Sequence, residues 1–179
     1  MNARTATLCL MLALVATGCA RREAEDDDTQ ELAAAAATQE QAPAPPQEVV
    51  ALKVNVTLSP TAEQSLKSSG ETVRVEVIYG GDPAPGATLA PNELGMIELG
   101  KKVFELDGSG AVELPESAVD RSRLDQIIGQ PQVMVNTTSG RKSTPNNLLA
   151  CDFYWDTLNT AGRDGVNVQC KLLSEAKGR

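Results

Sequence analysis

Val50-Ala51-Leu52-Lys53-Val54-Asn55-Val56-Thr57-Leu58 is the stretch that sets the fold class. Val50, Leu52, Val54, Val56 and Leu58 alternate with Ala51, Lys53, Asn55 and Thr57, the two-residue period of a strand with one buried face. Ser59-Pro60 follows, with Ser59 placed as an N-cap and Pro60 at the first helical position of a short turn or helix. Ala62 and Leu66 face inward from it, and Gly70 closes it. Thr72 to Tyr79 then repeats the strand pattern, with Val73, Val75, Val77 and Tyr79 on one face and Arg74 and Glu76 on the other.

Working outward, Gly80-Gly81-Asp82-Pro83-Ala84-Pro85-Gly86 reads as a turn-rich loop that stops strand pairing. Leu94 to Leu99 and Lys102 to Leu106 predict two strands around Gly100. Asp107-Gly108-Ser109-Gly110 predicts a hairpin into Ala111 to Leu114. Leu124, Ile127 and Ile128 fall at helical spacing, so Pro115 to Ile128 predicts a short helix ended by Gly129-Gln130-Pro131. Val133 and Val135 begin a strand that runs into Ser139-Gly140, and Val166, Val168, Cys170 and Leu172 share a face of the last strand. Short strands separated by turn signals, with one or two short helices, predict a mainly-β domain over residues 49–175. Its expected form is an antiparallel two-sheet β-sandwich, with residues 176–179 as a tail. The rhythm of strands and turns resembles immunoglobulin-like and transthyretin-like domains, although Trp155 follows Cys151 closely instead of lying between distant cysteines.

The N-terminus reads differently. Arg4 precedes an apolar run from Ala6 to Gly18 that ends in small residues, the layout of a secretory signal. The run is shorter than the roughly 20 residues a spanning helix needs. Ala16-Thr17-Gly18-Cys19 resembles the lipobox of bacterial lipoproteins, with Ala16 where that family most often has Leu. The resemblance implies removal of residues 1–18 and a Cys19 that carries diacylglyceryl and acyl chains into a lipid bilayer. Ala20 after the cysteine implies outer-membrane sorting with the domain in the periplasm. The alternative is ordinary signal cleavage that leaves Cys19 as a free thiol. Residues 19–48 form the lipidated cysteine and a tether: from Ala20 to Glu48 the net charge is −6, with an alanine run at Ala33 to Ala37 and Pro43-Ala44-Pro45-Pro46 near the exit. Such composition cannot offset the entropy of ordering, so the tether is expected to be disordered. With Cys9 lost in the signal and Cys19 lipidated, Cys151 and Cys170 are expected to form one disulfide.

Little in the domain points to catalysis. The chain has no histidine, which removes the commonest general base and metal ligand. No phosphate loop is present, and no cofactor or metal is expected. From Val49 onward the net charge is only −3, with no basic stripe for nucleic acid. The densest polar run, Asn136 to Asn147, holds Ser139, Arg141, Lys142, Asn146 and Asn147. Its hydroxyls, amides and Arg fork are a donor set for an anion or a sugar, while a solvated loop satisfying its own backbone is the competing reading. Phe153-Tyr154-Trp155 beside it holds three of the five aromatics, read as core anchors rather than an exposed docking patch. The expectation is a non-catalytic envelope lipoprotein whose domain docks on an envelope protein. A small-ligand module using Ser139 to Asn147 is the alternative.

Overall fold

The computed structural model describes residues 46–176. The signal, Cys19 and the tether up to residue 45 lie outside the described residues. The last three residues assigned to the tether are tied down: Gln47 donates to the Ile127 and Gly129 carbonyls, and Gln130 bridges Pro46 and Glu48.

Among the described residues eight strands form two four-stranded sheets. The first sheet has the order β4 (Gly110–Leu114), β1 (Leu52–Leu58), β8 (Val166–Leu172), β6 (Leu149–Cys151). The second has the order β3 (Ile97–Leu106), β2 (Val73–Pro83), β5 (Ile127–Ser139), β7 (Tyr154–Thr157). Five of the six pairings are antiparallel; β1 and β8 run parallel, Val54 opposite Val166 through Leu58 opposite Cys170. A parallel neighbour requires a long crossover, and here the rest of the domain supplies it.

The inward residues of both sheets join one hydrophobic cluster. Val54, Val56, Leu114, Leu149, Val166 and Val168 meet Val73, Val75, Val77, Tyr79, Leu99, Val133 and Val135 there. Each fully buried valine or leucine stabilises the fold by about 1.5–3 kcal/mol relative to exposure. Helix α1 (Pro60–Ser69) adds Ala62 and Leu66. It begins as its sequence predicts: Ser59 Oγ accepts from the Ala62 amide at 3.1 Å, and Pro60 fills the first position. It ends at Gly70, whose φ of +65° permits the left-handed cap.

Three predicted elements differ. The stretch from Ile97 to Leu106 is one strand that continues through Gly100. Strand β2 runs on through Gly80-Gly81-Asp82-Pro83, where a loop was expected. The reason is a bulge: Gly80 pairs with Gln132 and Asp82 with Ile128, so residues 129–131 of β5 face Gly81 alone. A Cβ on Gly81 would lie 2.9 Å from Ile127 Cβ, so a larger residue there would have to push Ile127 aside. That geometry also explains the missing helix. Residues 121–126 form a 3₁₀ helix, and Ile127 and Ile128 open β5 as a buried–exposed strand pair. Pro131 sits in the bulge, where it owes no ladder hydrogen bond.

Candidate binding face on the second sheet

Antiparallel partners lie on the same side of a sheet, so the register fixes what the second sheet turns away from the core. Lys101, Ile78, Met134 and Trp155 form one row across all four strands. Val103, Glu76 and Asn136 form the next, and Glu105, Arg74 and Thr138 the third. Ile78 and Met134 are buried although they face away from the core. Val103 and Trp155, at the two ends of these rows, remain exposed.

The aromatic trio follows strand alternation. Tyr154 pairs with Val135 and packs against the core cluster, so Phe153 and Trp155 point outward. They are 59% and 46% exposed, which corrects the expectation of core anchoring. Their rings meet edge to face, centroids 6.3 Å apart. Trp155 Nε1 donates to Gln132 Oε1 at 2.6 Å, which fixes the indole over β5. The expected disulfide lies just before this segment. Cys151 and Cys170 are register partners on β6 and β8, with the sulfurs 2.00 Å apart, and Cys170 is buried in the core. The nearby carboxylates are all engaged separately: Asp152 accepts from the Gln169 amide, Asp156 from the Thr157 amide, and Asp164 from Arg163. Among the described residues no three acids or cysteines converge as a metal site would require.

The polar loop after β5 is organised by a residue the sequence reading did not single out. Glu71, directly after the α1 cap, is 2% exposed. Its carboxylate accepts from the Thr72 and Lys142 amides at 3.0 Å each, the Ser143 amide at 3.0 Å and the Ser143 hydroxyl at 2.8 Å. Burial raises its pKa, but these hydrogen bonds outweigh burial and hold it near 2. The amides of Lys142 and Ser143 are therefore occupied by the protein's own carboxylate.

The five predicted loop residues divide accordingly. Ser139 is fully buried, donates from its amide to Asn147 Oδ1 at 2.9 Å, and accepts from the Leu148 amide at 3.0 Å. Asn147 also receives the Leu149 amide and donates to the Leu149 carbonyl, so these two residues staple the loop ends together. Lys142 reaches Glu105 at 2.6 Å. The Asn146 amide donates to Thr144 Oγ1 at 3.4 Å within the loop. Arg141 alone joins a cleft, with Arg74, Glu76, Asn136, Thr138 and Gly140, of about 340 Å³. Its φ of +59° is left-handed, a conformation that non-glycine residues seldom take. On the cleft floor, Glu76 accepts from Lys101 at 2.7 Å and meets Arg74 at 3.6 Å. The hydrogen bond from Lys101 is the main reason its carboxyl is held below the usual range.

The charged floor was visible in sequence only as the outward half of an alternating strand. Glu71 carried no signal, because its partners lie 71 and 72 positions away. No protein-family model matches this chain, and neither a curated protein nor a solved structure does.

Proposed function

We propose that this chain is a non-catalytic envelope lipoprotein, anchored through Cys19, whose domain docks on a protein partner through Phe153 and Trp155. The observation that carries the reading is the exposure of that aromatic pair, Trp155 on the edge strand β7 and Phe153 just before it. Large aromatics spread over solvent seldom lack a binding role when they cluster, and Trp is enriched among residues that dominate interfaces. The indole is already fixed by Gln132 and the segment is pinned by the neighbouring disulfide, so docking orders little that is not ordered beforehand. Two sheets sharing one core support a sandwich of the immunoglobulin-like or transthyretin-like kind. The Ala16-Thr17-Gly18-Cys19 motif and the acidic, proline-ended tether support outer-membrane anchoring with the domain held off the lipid in the periplasm.

The test is a photocrosslinking residue at position 153 in the full-length protein within its native envelope. A single stoichiometric partner is expected, with at least a tenfold loss of recovery for Trp155→Ala carrying the same crosslinker. Recovery of no partner, or of the same mixture with and without Trp155, overturns the reading. Mass of the membrane-extracted protein tests the anchor separately: an unmodified Cys19 sulfur removes it.

A second reading, binding of a small glycan or anion, is favoured by one specific observation. Arg141 opens onto a polar cleft with a second arginine, Arg74.

A further inference from the structure

We infer that the cleft between Arg74 and Arg141 binds a sugar unit carrying a single carboxylate, a uronic-acid residue. This inference rests on the second reading above and names its ligand class.

The lining sets the ligand's charge. Arg74 and Arg141 bring two guanidinium groups, and Glu76, the one carboxylate of the lining, is held by Lys101 at 2.7 Å, so the cleft favours an anion. Glu76 is committed mainly to Lys101 at 2.7 Å and meets Arg74 only at 3.6 Å, which leaves the Arg74 fork most of its donors. Arginine suits a carboxylate because its planar fork offers two parallel N–H donors.

The remaining lining sets the ligand's body. Asn136 and Thr138 contribute an amide and a hydroxyl on the outward face of β5, groups that exchange hydrogen bonds with sugar hydroxyls. A cleft of about 340 Å³ falls at the small end of ligand sites, which run from about 300 to 1,000 Å³. Phe153, just before β7, meets the ring of Trp155 on the outward face, where an aromatic ring can carry the apolar side of a neighbouring sugar.

The backbone at Arg141 supplies an independent reason. An arginine at φ +59° is strained, and glycine would relieve it. The loop nevertheless holds Arg141 there because Glu71 clamps the two following amides. The clamp sends Lys142 to Glu105 and leaves Arg141 at the cleft.

The experiment is calorimetric titration of the detergent-extracted full-length protein with an oligouronate, free glucuronate, a neutral oligosaccharide of equal length, inorganic phosphate and an acidic peptide. The expected result is oligouronate binding at least tenfold tighter than the neutral oligosaccharide and phosphate. Free glucuronate binding as tightly as the oligomer assigns the source as a single sugar acid; tighter oligomer binding assigns a glycan. Arg141→Gly removes the guanidinium while relaxing the backbone, so it is expected to weaken oligouronate binding at least tenfold with no fall in melting temperature. Arg74→Ala is expected to weaken it comparably. Equal binding of neutral and acidic oligosaccharides, unchanged by Arg141→Gly, overturns this inference and leaves the small-ligand reading standing. Preference for phosphate or the acidic peptide also overturns it. Binding of none of the probes removes both.

Discussion

Thr137 sits on the core face of β5 opposite Val75, buried, with a hydroxyl that has no hydrogen-bond partner. An unpaired buried hydroxyl costs free energy that an isosteric methyl does not. Thr137→Val is therefore expected to raise stability by about 1 kcal/mol, read as a higher denaturant midpoint at unchanged slope. Glu71 works the other way. Its folded pKa near 2 lies below the ordinary 4.5, so the ionised form favours the folded state. Its contribution is full above about pH 4.5 and is lost as pH falls toward 2. Thermal melts of the wild type should thus fall steeply over that window. Glu71→Gln should melt lower at neutral pH, by the equivalent of about 1–3 kcal/mol, and show a flatter acid limb. A Glu71→Gln protein with the same acid limb as the wild type would contradict this.

At the scale of elements, Ser59 holds two things at once. Its hydroxyl caps α1 and also donates to the Glu175 carboxylate at 2.9 Å, where α3 (Leu173–Ala176) closes the end of β8. Ser59→Ala is expected to cost about 1–2 kcal/mol in chemical denaturation, the upper part of the range for a lost N-cap. Caps of this kind are written locally and were legible: Ser59, Pro60 and Gly70 each stand where the helix needs them. The alternation at Leu52 to Leu58 and at Val73 to Tyr79 was legible for the same reason. Leu124, Ile127 and Ile128 were not, because an i, i+3, i+4 triplet fits a helix as well as a 3₁₀ turn running into a strand. What decides between them is distant pairing: Ile127 lies opposite Pro83 and Ile128 opposite Asp82 on β2, and the missing Cβ of Gly81 leaves space for the Ile127 side chain. α2 (Leu158–Asp164) escaped notice because only Leu158 and Ala161 are buried in its seven residues.

For the whole molecule, the bond between Cys151 and Cys170 joins positions 19 apart in the sequence and closes a loop that contains β7 and α2. Its removal in a Cys151→Ala, Cys170→Ala protein is expected to cost about 3 kcal/mol by the chain-entropy model, measurable as a lowered unfolding midpoint. The pairing was legible from cysteine number together with the expectation of export. The candidate face was not, since it assembles rows from β3, β2, β5 and β7 that the sequence spreads over more than 50 positions. Direction of pairing was equally hidden: a strand's alternation is the same beside a parallel or an antiparallel neighbour. That one parallel pair has a mechanical consequence. β1, the first strand after the chain enters the domain, lies between β4 and β8 and is bonded on both sides. Tension applied at Val49 along the strand must shear both ladders together, whereas an edge strand pulled the same way has one ladder to shear. Rupture under load is governed by the unfolding barrier, so pulling from Val49 should demand a higher force than pulling from the β7 edge at Thr157.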